Sequence, residues 1–260
     1  MLIDYEGFKA KVLKLAGIDL SSYKERQMKR RIDSLISRNN YDDYATYYIA
    51  LTKNPSLYDE FIKYLTINVS EFYRNPAQWE ILEKEIVPNL IKFNDIPKIW
   101  SAACSTGEEP YSLAMMMSRF VSLDRLKILA TDIDDSAVYK AKEGIYSSKS
   151  LENLPKDFVD RFFTRIGENY KITDKIMNCI EFKHHNLLLD KYPVKCDLIV
   201  CRNVMIYFTE EAKTLMYNNF RESLNNNGVL FVGSTEQIIL PHRYKLEPIR
   251  TFFYRRNGPA

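Results

Sequence analysis

Near Pro97 the hydrophobic pattern of this 260-residue chain changes period, and that change sets what the chain can fold into. Downstream, short apolar runs alternate with helical segments. Lys98-Ile99-Trp100-Ser101-Ala102-Ala103 reads as a strand entering the turn Cys104-Ser105-Thr106-Gly107-Glu108-Glu109-Pro110. A helix follows from about Pro110 to Phe120, and Pro110 suits its first turn. Lys127–Thr131 is a second strand, ending at Asp132, and Ser136–Ala141 begins another helix. Asp197–Cys201 is an almost unbroken apolar run, as in a strand covered on both faces. Thr209 caps a helix to about Leu224, Asn225–Gly228 close it, and Val229–Val232 is a further strand. Strands separated by helices are the grammar of a doubly wound α/β sheet.

Two regions depart from this rhythm. Residues 1 to about 70 read as all helix: Tyr5–Ala16, Tyr23 to about Asn39 with Ser21 or Ser22 as cap, Tyr41–Thr52 and Pro55–Leu65. In the second helix Met28, Ile32, Leu35 and Ile36 form one apolar stripe. Arg26 and Arg30 project from the other face, flanked by Lys29, Arg31 and Arg38. From Lys24 to Arg38 six basic residues stand against Glu25 and Asp33, and such clustered charge steers acidic partners. Further on, Arg161–Leu189 reads as a small antiparallel insertion. It has a hairpin about Gly167-Glu168-Asn169, and Ile180–His184 is a third extended piece leading back to the main sheet. Thr251–Arg255 reads as a closing edge strand.

Composition narrows the function classes. Lys and Arg number 37 against 34 Asp and Glu, a net +3 that is too balanced for a dedicated nucleic-acid binder. The longest apolar stretches, such as Leu113–Met117 and Leu198–Cys201, fall far below the roughly 18 residues of a membrane span. The opening Met1–Glu6 is acidic and lacks the basic-then-apolar pattern of a signal peptide, so a cytoplasmic protein is expected. Cys104, Cys179, Cys196 and Cys201 form no CxxC pair and have no histidine at finger spacing. Buried thiols are expected, with no metal site.

In an open α/β sheet, ligands bind beyond the carboxyl ends of the strands at the switch point. There the first strand ends in small residues, which let a ligand approach the backbone. The second ends in Asp132, about 25 residues past Gly107 and suited to a ribose hydroxyl pair. The strand 197–201 ends in Arg202-Asn203. Together these describe a nucleoside pocket. The turn is not G-x-G-x-x-G, and two glutamates at a helix start repel a pyrophosphate. They favour a ligand such as S-adenosylmethionine (SAM), with an amino group, a sulfonium and no phosphate.

The segment Ser101–Ser112 resembles the first methyl-donor motif of the chemotaxis-receptor glutamate methyltransferases, the CheR family. Asn68-Val69-Ser70-Glu71-Phe72-Tyr73-Arg74, Ala130–Asp134, Asn186-Leu187-Leu188 and Cys201–Phe208 match further motifs, in the same order and spacing over nearly the whole chain. The resemblance implies a Rossmann-like class I SAM-dependent methyltransferase sheet with helices on both faces. It also implies an all-α N-terminal domain (1–70), a methyltransferase domain (71–260) and a small antiparallel β insertion (about 161–184). Asp132 is then expected on the ribose, and Glu108 on the donor's amino-acid end with Asn68, Ser70 and Arg74. Ala103, Asn186, Leu187, Arg202 and Asn203 are expected along the adenosine and methionine parts. Arg74 and Tyr207 are expected beside the transferring methyl. No role falls to His184 or His185.

The implied substrate is a receptor glutamate, already ionised at neutral pH because an unperturbed Glu titrates near 4.3, so no general base is needed. Alignment and exclusion of water should carry the rate, and S-adenosylhomocysteine is the product. The face of Arg26, Lys29, Arg30 and Arg31 is expected to lie along an acidic receptor helix, with the enzyme a monomer and no nucleic acid involved. Two alternatives stay open: a methyltransferase with another substrate, and a non-catalytic sensor of the donor or its product. An NAD-dependent oxidoreductase lacks its glycines.

Overall fold

The computed structural model describes residues 3–257; Met1 and Leu2 of the N-terminal reading lie outside them. The chain divides into two compact units, Met1–Ile67 with Tyr207–Leu215, and Asn68–Ile206 with Met216–Ala260. Among the described residues no helix is long and apolar enough to cross a membrane.

The first unit contains α1 (Tyr5–Ala16), α2 (Glu25–Arg38), α3 (Tyr44–Lys53) and α4 (Pro55–Thr66). Side chains of Asp4, Asp43 and Asn54 cap α1, α3 and α4, which explains why α3 begins at Tyr44 rather than Tyr41. Phe8, Ile32, Leu35, Tyr47 and Phe61 are fully buried between the helices. The segment 207–215 joins them through main-chain bonds: Lys24 N donates to Tyr207 O at 2.9 Å and Thr209 N to Ser22 O at 2.9 Å.

The second unit opens with α5 (Pro76–Ile81) and α6 (Val87–Phe93), joined by one wider helical turn. The main sheet comprises β1 (Ile99–Ala102) and β2 (Ile128–Asp132), then Ile180–His184, Cys196–Cys201, Leu224–Val232, Leu246–Arg250 and Phe253–Arg256. With Ile145–Ser147 as β3, Phe163–Ile166 as β4 and Asn169–Ile172 as β5, those last five are β6 to β10. The order is β6-β2-β1-β7-β8-β10-β9; the first five strands are parallel, and β10 and β9 antiparallel. Helices α7 (Glu108–Met117), α8 (Asp135–Glu143), α9 (Lys156–Phe162), α10 (Asp174–Met177) and α11 (Glu210–Ser223) connect the strands. Every residue of β1 and β7 is buried, as their unbroken apolar runs require.

Two expectations need correction. The insertion runs from 145 to 172 rather than 161 to 184. It is a three-stranded sheet of order β3-β5-β4, and Ile180–His184 pairs in parallel with β2 at the main sheet's edge. At three residues, β3 is too short to show a period, and the alternating exposure of β6 is that of an edge strand. The C-terminal strand is likewise not the edge: β10 lies between β8 and β9. The edge is β9, whose Pro248 lacks an N–H and is tolerated there.

Candidate active site

The strand order reverses between β1 and β7, both in the second unit, and a ligand of an open α/β sheet binds beyond the carboxyl ends at such a point. After β1 the chain turns through Ala103, Ser105 and Gly107 at φ of 64°, 48° and 96°. Left-handed conformations at non-glycine residues cost free energy and gather where a ligand is gripped. Gly107 has no substitute: a Cβ there would stand 2.9 Å from the Ala141 methyl and 3.0 Å from the Tyr146 hydroxyl.

The strand end ties the predicted residues together. Cys104 N donates to Thr131 O at 2.9 Å, and Ser105 N to Asp132 Oδ2 at 2.7 Å. The Ser105 hydroxyl reaches Asn68 Oδ1 at 3.2 Å, and Asn68 Nδ2 donates to Asp134 Oδ2 at 2.5 Å. Asp132 is buried and also accepts from Asp134 N at 3.0 Å. Burial pushes its pKa above the usual carboxylate value, while the Asp134 and Ser105 amides pull it back. The strand end continues to the next motif, since His185 N donates to Asp132 O at 2.9 Å. Asn186 then folds on itself, its Oδ1 accepting from Leu188 N at 2.9 Å, and Leu187 O accepts from Tyr192 OH at 2.8 Å.

The two glutamates at the start of α7 part company. Glu108 stays with the crevice segments: Thr106 Oγ1 donates to Glu108 Oε2 at 2.7 Å and the Ser70 hydroxyl also bonds it. Burial raises the Glu108 pKa against those two hydrogen bonds. Glu109 points inward instead. It takes a 2.7 Å bond from Ser101 Oγ and stands 3.8 Å from Arg202 Nη1. Desolvation lifts its pKa from 4.5 to about 7, with Arg202 opposing. Acid repulsion of phosphate at this turn therefore rests on Glu108 alone.

Arg202 is expected along the donor, and its side chain is buried and packed over the rings of Phe231 and Trp79. Nη2 donates to Arg74 O at 2.7 Å and to Asn75 Oδ1 and Gln78 Oε1 at 3.1 Å each. Only its backbone remains for a ligand. Arg74 sits between Tyr73 (φ 50°) and Asn75 (φ 61°), so Arg202 fastens a strained turn. The half-buried Arg74 guanidinium donates to Val69 O at 3.1 Å. Tyr207 belongs to the first unit, where it is half-buried and its carbonyl accepts from Lys24.

Of the basic face, Arg26 and Arg30 are exposed and, among the described residues, in no ion pair. Lys29 is tied to Asp33 at 2.9 Å, and Arg31 stacks on Tyr64 and bonds its carbonyl.

One contributor escaped the sequence reading. Glu236 is buried in the loop after β8, and its carboxylate accepts from the amides of Asn203, Met205, Ile206 and Gly233. A lone Glu in a loop gives no sequence signal when its partners are main-chain amides.

These residues fit SAM. The turn offers backbone and small side chains to an uncharged nucleoside, the buried acids Asp132 and Glu108 suit hydroxyl and ammonium groups, and 99–118 contain no basic residue for a phosphate. Comparison with known sequences agrees. Residues 68–253 match the family described as CheR methyltransferase, SAM binding domain, and residues 3–66 match CheR methyltransferase, all-alpha domain. A chemotaxis protein methyltransferase of Listeria monocytogenes is 46% identical over 252 residues, covering 96% of each chain. Another, of Borreliella burgdorferi, is 33% identical over 251 residues, covering 88% of this chain and 89% of its own. Among solved structures, a TehB-like SAM-dependent methyltransferase of Corynebacterium glutamicum gives a TM-score of 0.39 at 17% identity, covering 70% of this chain and 94% of that one. The chain belongs to the CheR family of SAM-dependent methyltransferases.

Proposed function

We propose that this protein methylates glutamate side chains on the cytoplasmic helices of methyl-accepting chemotaxis receptors, giving glutamate methyl esters and S-adenosylhomocysteine for sensory adaptation. The observation that carries this reading is the turn after β1 at the β1/β7 switch point, lined by the buried acids Glu108 and Asp132 with no basic residue from 99 to 118, in a chain whose close relatives are named chemotaxis protein methyltransferases. Bound SAM supplies an electrophilic methyl on a sulfonium, which a carboxylate oxygen takes up as the carbon–sulfur bond breaks.

The chain's own residues then have these tasks. Asp132 holds a hydroxyl pair, and Glu108 holds an ammonium with Asn68 and Ser70. Ala103, Asn186, Leu187, Asn203 and the Arg202 backbone line the ligand. Arg74 orients the incoming carboxylate, and Tyr207 steadies the reacting groups. No residue needs to remove a proton, because a glutamate substrate arrives ionised. Removing water strengthens the attraction between carboxylate and sulfonium, and the charge disappears as the methyl moves. Arg26 and Arg30 meet the acidic face of the receptor helix. The enzyme works in the cytoplasm as a monomer.

Incubation with labelled SAM and a panel of receptor cytoplasmic fragment, tRNA and small carboxylic acids tests this. Label is expected on the receptor fragment alone, and label on another member with none on the receptor would overturn the reading.

A further inference from the structure

The loop after β7 runs Arg202-Asn203-Val204-Met205-Ile206 into Tyr207. It has little regular structure of its own beyond one 3-10 turn, Met205–Tyr207, and Asn203 stands at φ 62°. Something must hold its backbone donors. Glu236 does so with both oxygens: Oε2 accepts from Asn203 N at 2.6 Å and Gly233 N at 2.9 Å, Oε1 from Met205 N at 2.7 Å and Ile206 N at 3.3 Å. The residue is 5% exposed, so its carboxylate is committed to the loop and not to a ligand. Gly233 makes the arrangement possible, since a Cβ there would lie 2.4 Å from Glu236 Oε2 and 2.9 Å from Asn203 N.

We propose that Glu236 and Gly233 form a clamp that sets the loop carrying Asn203, making Glu236 a positioning residue for methyl transfer. The assignment rests on the function proposed above for Asn203. A carboxylate suits the task because four N–H groups converge on it. The amide of Gln would turn two donors toward two donors, leaving those N–H groups unpaired in the interior. Glu236→Gln keeps size and loses the clamp.

The experiment compares wild type, Glu236→Gln, Gly233→Ala and the double variant. It reads receptor methylation and amide hydrogen exchange, with Met117→Ala in α7 as a control for general loss of stability. Glu236→Gln and Gly233→Ala should each lower kcat about 10- to 100-fold with KM for the receptor nearly unchanged. The double variant should be no worse than either single one. The Asn203 and Met205 amides should lose protection while Leu198 and Val200 keep theirs, and Met117→Ala should keep its kcat. If Glu236→Gln does not fold, Glu236→Asp is read the same way; it retains the charge but is one methylene shorter. Wild-type kcat or unchanged protection at Asn203 and Met205 in a folded Glu236 variant overturns the clamp. Wild-type enzyme that labels no receptor, with protection still lost in the variant, overturns the proposed function and leaves the clamp standing.

Discussion

The Arg202 guanidinium donates a 2.7 Å hydrogen bond to the main-chain carbonyl of Arg74, 128 residues earlier in the chain. It thereby joins the end of β7 to a turn in which residues on both sides of Arg74 are left-handed. A lysine has the charge but not the flat guanidinium, which lies over the Phe231 and Trp79 rings with Nη2 on Arg74, Asn75 and Gln78 while Nη1 stands 3.8 Å from Glu109. Arg202→Lys should therefore lower kcat about tenfold or more and destabilise the protein by about 3 kcal/mol, the range for breaking a buried charged network. Steady-state kinetics and urea unfolding check both; values near wild type would mean that the turn holds itself.

The buried Glu109 should leave a signature in stability against pH. Its carboxyl titrates near 4.5 when unperturbed and at about 7 in the fold. The folded state thus binds its proton more tightly than the unfolded state. Stability from this group is full below pH 4.5 and is lost as pH rises through about 7. Glu109→Gln removes that slope. The difference between wild-type and variant unfolding free energies should change by up to about 3 kcal/mol between pH 4.5 and 7.5. Parallel curves across that window would refute the assignment.

Gly107 offers a test of the cradle. With φ at 96° and three atoms within 3.1 Å of any added Cβ, Gly107→Ala should cost about 2 kcal/mol or more of stability. It should also weaken donor binding, measured by calorimetry, about tenfold, because the turn must shift. Unchanged affinity would show that the turn does not shape the donor site.

The helical unit can be tested without disturbing its core. Arg26 and Arg30 are exposed and in no ion pair among the described residues, whereas Arg31 is fixed to Tyr64. Reversing charge at Arg26 and Arg30 should change stability by less than about 0.5 kcal/mol and leave donor affinity unaltered. It should slow receptor methylation several-fold at low salt, with the gap narrowing as ionic strength rises. Equal rates at low salt would remove this face from receptor docking.

The parts of the fold that announced themselves were those with a period. β1, β2, β7 and the end of β8 are apolar runs covered on both faces, and α2 carries its stripe at Met28, Ile32, Leu35 and Ile36. β3 has too few residues to show alternation, and Pro248 hides β9 by breaking strand grammar where an edge permits it. At the site, residue types were visible but directions were not. Glu108 and Glu109 are adjacent, yet one helical step of about 100° sends one toward the crevice segments and the other to Arg202. Arg202 belongs to a motif whose sequence suggests a ligand contact, whereas its side chain serves the backbone of Arg74. Glu236 was invisible because main-chain amides, which every residue carries, are its partners.

The most direct test of the central claim is chemical. Methyl-labelled SAM, the wild-type protein and a chemoreceptor cytoplasmic fragment are incubated together, and the isolated receptor is then treated with mild alkali. Volatile labelled methanol, lost when the target glutamates are replaced by alanine, is the predicted result, since only a carboxyl ester is so readily hydrolysed. Label that stays on the receptor through alkali, or no label at all, would contradict glutamate esterification.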